Sequence, residues 1–254
     1  MTLVDVQQRP QDFRPYQGVL TRGYSASAFW LRLHVGASTE QKLILRIRPT
    51  YIDHIELFDP LEGSAQGQAA RMSGDHHPRQ GMDYKSLNHG FAIPGSPTPR
   101  NIYLRLQSTS TMLAYAEVLT LDQAATADHL QELFYGVYLG LLAATLVWAL
   151  LHWLIHREML IAVFAIKQTA VLAHALAYQG YLPLLLGQYL SAPTMNDITS
   201  LLVMAYAFFS AAFVLILLHE FKPVPWVWWT ITGMQLAYVP ILALFFAGQA
   251  RLAL

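Results

Sequence analysis

The 254-residue sequence has no cysteine. This excludes a disulfide, a thiolate nucleophile, a thiolate-held metal and an iron–sulfur cluster, and it leaves the compartment undecided. Charge is scarce too. Asp, Glu, Lys and Arg make up 13% of the residues, and acids and bases balance at 16 each. With no basic run, a nucleic-acid surface is not expected. The sequence also lacks a phosphate-binding G-x-x-x-x-G-K-[ST] motif, a G-x-S-x-G motif and a kinase signature, so catalysis has no visible home and no cofactor is expected. The opening stretch, MTLVDVQQRPQDFRP, has no basic region followed by an apolar core, so no signal peptide is visible.

What the sequence does contain is unevenly distributed. Of the 16 Lys and Arg, 12 precede Leu133, and of the 16 acids, 13 do. From Leu133 onward the sequence is one that water would reject. A helix needs about 20 apolar residues to cross a hydrocarbon core. Four windows reach that length: 133–155, 159–178, 198–218 and 224–247. None has the polar outer face that a buried soluble helix carries, so a helical transmembrane bundle is expected. His152 lies in the last turn of the first window and His156 and Arg157 follow it, while His219 and Lys222 follow the third. The loop after the second has neither Lys nor Arg. The positive-inside bias therefore puts the first and third loops in the cytoplasm and residues 1–132 outside, in the periplasm if the membrane is a bacterial inner membrane. Trp153, Trp226, Trp228 and Trp229 sit near span ends, where an aromatic belt is expected.

Before Leu133 the period is two. AFWLRLHV sets Phe29, Leu31, Leu33 and Val35 opposite Trp30, Arg32 and His34. KLILRIR sets Leu43, Leu45 and Ile47 opposite Lys42, Ile44, Arg46 and Arg48, and NIYLRLQ sets Ile102, Leu104 and Leu106 opposite Tyr103, Arg105 and Gln107. In each case the polar set is expected to face solvent. Short strands separated by Gly, Pro and Asp turns describe an antiparallel β-sandwich over residues 1–120. Residues 121–132, LDQAATADHLQE, read as a polar juxtamembrane connector.

The order ASAFWLRLHV, LRIRPTYIDHIELFDP, MSGD and FAIPG…NIYLRLQSTSTM, followed by ELFYGVYLGLLAATLVWALLHWLIHREML, resembles the bacterial seven-transmembrane receptors with diverse intracellular signalling modules (7TMR-DISM). The outer half looks like the second of that family's two sensory-domain types. The resemblance implies a jelly-roll-like sandwich that detects an extracytoplasmic ligand, with carbohydrate as one candidate. It also implies a cytoplasmic output module, a histidine kinase or diguanylate cyclase, and it is compatible with a homodimer. With no visible signal peptide, four spans in place of seven and no output module, the chain is expected to be a fragment or a truncated product.

Candidate contacts follow from residue type. Sugar recognition pairs a flat aromatic with charged or planar hydrogen-bonding groups. Trp30, Arg71, Asp75, Arg79 and Arg105 are the candidate ligand-binding residues, with Arg32, Tyr51 and Tyr103 of similar type. His76 and His77 beside Asp75 have no third partner at a matching spacing, so no metal site is expected. Lys167 and His174 are the intramembrane polar residues, expected to face other helices. His152 and His156 are four apart, and His219-Glu220 ends the third window. A membrane di-iron enzyme would need more paired histidines than these. The readings left open are a receptor's sensory and transmembrane region or a membrane-anchored glycan- or protein-binding scaffold.

Overall fold

The computed structural model describes residues 1–25, 27–63, 69, 71–77, 84–109, 111–221 and 224–247. After a short helix, α1 (Leu3–Gln7), the described residues form eight strands: β1 (Leu20–Tyr24), β2 (Phe29–Val35), β3 (Lys42–Arg48), β4 (His54–Phe58), β5 (Arg71–Ser73), β6 (His89–Pro94), β7 (Arg100–Gln107) and β8 (Thr111–Thr120). Among the described residues, five helices follow: α2 (Leu121–His156), α3 (Met159–Tyr178), α4 (Tyr181–Leu186), α5 (Ala192–Glu220) and α6 (Pro225–Phe246).

The strands form two four-stranded sheets, ordered β1-β8-β3-β6 and β2-β7-β4-β5. First pairs with eighth, second with seventh, third with sixth and fourth with fifth, all antiparallel. The chain is thus a long hairpin rolled over on itself, the eight-stranded jelly roll. Alternation explains the closure. Phe29, Leu31 and Leu33 of β2, Leu43, Leu45 and Ile47 of β3, and Ile102, Leu104 and Leu106 of β7 all turn into one core shared by the two sheets.

One expectation about strand faces needs correction. Ile44 and Arg46 were expected in solvent, yet they are only 2% and 3% exposed. The cause is α2, whose first turns lie on the outer side of the first sheet. Ala124 there is fully buried, and Asp128 ion-pairs with Arg46 at 2.8 Å. Residues 121–132 are therefore the first three turns of a single 36-residue helix that continues through the apolar stretch. At 1.5 Å per residue that helix is roughly 54 Å long, well beyond the ~30 Å that a hydrocarbon core requires.

Among the described residues, four helices are long and apolar enough to cross a membrane: α2, α3, the stretch Ala192–His219 within α5, and α6. Phe134, Leu141, Trp148 and Ile155 stand exposed along α2, as side chains solvated by lipid do. The chain divides into two compact units. One comprises residues 1–132 and 180–196, the other residues 133–179 and 197–254. The segment between α3 and α5 thus falls in the same unit as the sandwich. A reporter fused near Ser191 is accordingly expected outside the cytoplasm, and one fused after Arg157 inside it. A cytoplasmic signal from the Ser191 fusion would overturn this topology.

Candidate functional site

The outer face of the second sheet is built by strand register. Trp30 lies opposite Arg105, which lies opposite Glu56, and Arg32 lies opposite Tyr103, which lies opposite Phe58. Trp30 leans on Phe58 with ring centroids 5.2 Å apart. Arg105 ion-pairs with Glu56 and donates to Gln107 at 3.2 Å. Phe13, from the segment before β1, packs 6.1 Å from Tyr103 and under the Arg32 guanidinium at 4.8 Å. One half of the face is therefore roofed by the N-terminal segment. The half around Trp30, Arg105, Glu56 and Gln107 combines an aromatic plane with a fixed guanidinium and carboxylate.

Of the five candidate ligand contacts, the fold brings Trp30 and Arg105 together. Arg71 does not join them. Its partner in the ladder is Leu57, a core residue, so Arg71 emerges on the inner side of the edge strand β5. There it pairs with Glu62 at 2.6 Å and lies 5.5 Å over the ring of Phe91. Alternation could not reveal this, because a three-residue strand has too little pattern to assign a face. Asp75 lies in the turn after β5, and Arg79 lies outside the described residues.

Asp75 belongs to a second constellation, at the end of the second sheet where His54 lies opposite Gln107. Gly74 adopts φ +132°, and a Cβ there would meet the Asp53 carbonyl oxygen at 2.1 Å, so only glycine lets this turn press against residues 52–53. The Asp75 amide donates to the Ile52 carbonyl at 2.8 Å, and the His76 amide donates to that of Asp53 at 3.2 Å. This brings donor atoms of Asp53, Asp75 and His76 within 4.8 Å of one another. Asp53 is 3% exposed and accepts from the Thr109 amide at 2.7 Å and the Ser108 hydroxyl at 3.2 Å. His54 and His77 share a hydrogen bond of 3.0 Å, and the His54 ring also lies 5.2 Å from that of His76. Burial, then the neighbouring His76 and His77, holds His54 below the usual imidazole range. The third partner that linear spacing did not offer beside Asp75 and His76 is supplied by a residue more than twenty positions upstream.

A third arrangement joins the first sheet to α2. Arg46 of β3 contacts Glu117 of β8 at 2.9 Å, Asp128 at 2.8 Å and the Gln131 side-chain oxygen at 2.5 Å. Asn88 donates to Asp128 at 3.3 Å and to Gln131 at 3.1 Å. Tyr84 donates to Asp128 at 2.9 Å, and burial followed by that hydrogen bond pushes its phenol up to about 12, so it stays a neutral donor. Sequence reading placed Arg46 on a solvent face and did not single out the others. They are scattered over β3, β8, the segment before β6 and α2, and only the fold assembles them.

Within the helical unit, polar side chains tie helix to helix. Gln168 of α3 donates to Thr145 of α2 at 2.7 Å and to the Leu142 carbonyl at 3.2 Å. Lys167 lies 5.4 Å from the ring centroids of both Phe164 and Phe213. His174 stacks on Tyr206 of α5 at 5.7 Å, with the rings nearly parallel. Gln235 of α6 donates to the Phe208 carbonyl of α5 at 3.1 Å. Gln168 and Gln235 thus bond to neighbouring helices, whereas Lys167 and His174 rest against aromatic rings. His152 and His156 lie 4.4 Å apart on α2, whereas His219 packs against Trp228.

Compared with known proteins, residues 1–120 match the family model for the 7TMR-DISM extracellular 2 domain. No curated protein matches the chain.

Proposed function

Because residues 1–120 are a 7TMR-DISM extracellular 2 domain carried by a multi-pass membrane protein, we propose that the chain is the sensory and transmembrane region of a bacterial signalling receptor. In this reading it is non-catalytic. The sandwich binds a ligand on the periplasmic side of the inner membrane, and the helices relay a change in their arrangement to a cytoplasmic output module such as a histidine kinase or diguanylate cyclase. The observation that carries this reading is the Arg46 cluster. A ligand sensor needs its binding domain tied to the chain that leads into the membrane, and Arg46 ties β3 to the first turns of α2 through an ion pair with Asp128 and a hydrogen bond to Gln131. A linker meant only to tether a scaffold has no need of such a joint. A ligand shifts this equilibrium only by binding the two arrangements with different affinity.

The ligand we favour is a polar glycan of the cell envelope, taken up on the open half of the second sheet. Trp30 would stack on a sugar ring, while Arg105, Glu56 and Gln107 would bond hydroxyl or acidic groups. The test is a calorimetric titration of the full chain in nanodiscs against a panel of envelope glycans. Trp30→Ala and Arg105→Ala are each expected to weaken binding by roughly three- to ten-fold, and Arg71→Ala to leave it unchanged. If no glycan on the panel binds, the ligand is of another class. If binding is insensitive to both Trp30 and Arg105, this face is not the site.

A further inference from the structure

The turn after β5 gathers donors that neither strand alternation nor the glycan face uses. Asp53, Asp75 and His76 present two carboxylates and an imidazole whose donor atoms lie within 4.8 Å of one another. We propose that these three residues form a binding site for a divalent transition-metal ion of the zinc class, and that the ion competes with a hydrogen bond from Asn196 for the His76 ring.

The donor chemistry selects the ion. Two carboxylates balance a divalent charge, and an imidazole with oxygen ligands suits zinc and its first-row neighbours better than calcium or magnesium, which take oxygen alone. With bonds of about 2.0–2.2 Å, a tetrahedral ion holds its ligand atoms roughly 3.4 Å apart. Modest side-chain rotation closes that gap. Asp53 is already fixed for the role, because Thr109 and Ser108 donate to its carboxylate from behind, as outer hydrogen bonds orient metal-ligating carboxylates. Asp75 and His76 are half-buried and sit on the turn that Gly74 presses against residues 52–53. The His76 Nε2 stands 3.9 Å from an Asp75 carboxylate oxygen, so the imidazole already faces the acid. Three protein ligands leave the fourth position to water or to the adjoining His54–His77 pair.

Competition follows from the single lone pair on that nitrogen. The Asn196 side-chain amide donates to His76 Nε2 at 3.4 Å. A metal ion takes the same lone pair, so the two states exclude each other. Asn196 lies near the start of α5, in the segment 180–196 that packs with the sandwich. Ion binding therefore releases a tie between the sandwich and that segment. The metal site itself does not depend on the receptor reading or on a glycan ligand.

Calorimetry with zinc chloride tests this on the metal-stripped full chain in detergent micelles. One equivalent is expected to bind, with Asp75→Asn and His76→Ala each weakening it about 100-fold or more. His129→Ala, at a histidine 83% exposed on α2, is expected to change nothing. Asp53 is deeply buried, so Asp53→Asn is read only if the apo protein melts as the parent does; Asp75 and His76 keep the test decisive if it does not. Asn196→Ala is expected to tighten binding about five-fold by removing the competitor. Absence of zinc binding in the parent chain, or equal binding in Asp75→Asn and His76→Ala, overturns the site. Unchanged affinity in Asn196→Ala overturns the competition.

Discussion

Arg46→Ala is expected to destabilise the sandwich by about 3–5 kcal/mol, the range seen when one partner of a buried ion pair is removed. The guanidinium is 3% exposed and lies between Glu117 and Asp128. Without it the largely buried Asp128 loses its cation, Glu117 keeps only Arg48 at 3.6 Å, and Asn88 and Gln131 lose the cation around which they are arranged. The loss should be local as well as global. Hydrogen–deuterium exchange of the full chain in micelles should show the first three turns of α2 losing protection together with β3 and β8. Asp128→Asn should have a smaller effect, because it keeps a hydrogen-bond acceptor for Tyr84 while removing one charge. If Arg46→Ala left the α2 amides as protected as before, the joint between sheet and helix would not be what holds that helix in place.

Leu104→Ala is expected to cost about 2–5 kcal/mol through lost burial and the cavity left behind. Leu104 is fully buried, with Leu31 and Leu57 opposite it on the neighbouring strands. The adjacent residue provides the contrast. Arg105 points to the outer face, where its pair with Glu56 is partly open to water, so Arg105→Ala is expected to cost about 1 kcal/mol or less. Both variants can be ranked by the exchange protection of β7 and β4. Equal losses at residues 104 and 105 would mean that the face assignment of β7 is wrong.

How well each element could be read from sequence follows from the range of the interaction that makes it. Apolar length alone identifies a membrane-spanning helix, because the bilayer imposes that length on any chain that crosses it. Period-two alternation identifies β2 and β7, because each has one face on the core and the other on solvent or a light covering. The same rule fails at β3. Both faces of that strand are covered, one by the opposite sheet and one by α2, and alternation carries no sign of a helix that arrives more than seventy residues later. It fails again at Arg71, whose strand is too short to show a period.

The candidate sites differ in the same way. Trp30 and Arg105 could be paired in kind, as aromatic and cation on polar strand faces, although their direct opposition depends on the β2–β7 register. Asp53, Asp75 and His76 could not be grouped from spacing, because the β4–β5 hairpin and the Gly74 turn bring together residues whose separation matches no ligand motif. By itself the sequence determined that this chain has a strand-rich half outside the membrane and a helical half within it, since hydropathy and periodicity are local. Tertiary structure alone decided which polar groups meet, because a β-sandwich is closed by pairings between strands far apart in the chain, and those pairings place Arg46 under α2 and His76 beside Asn196.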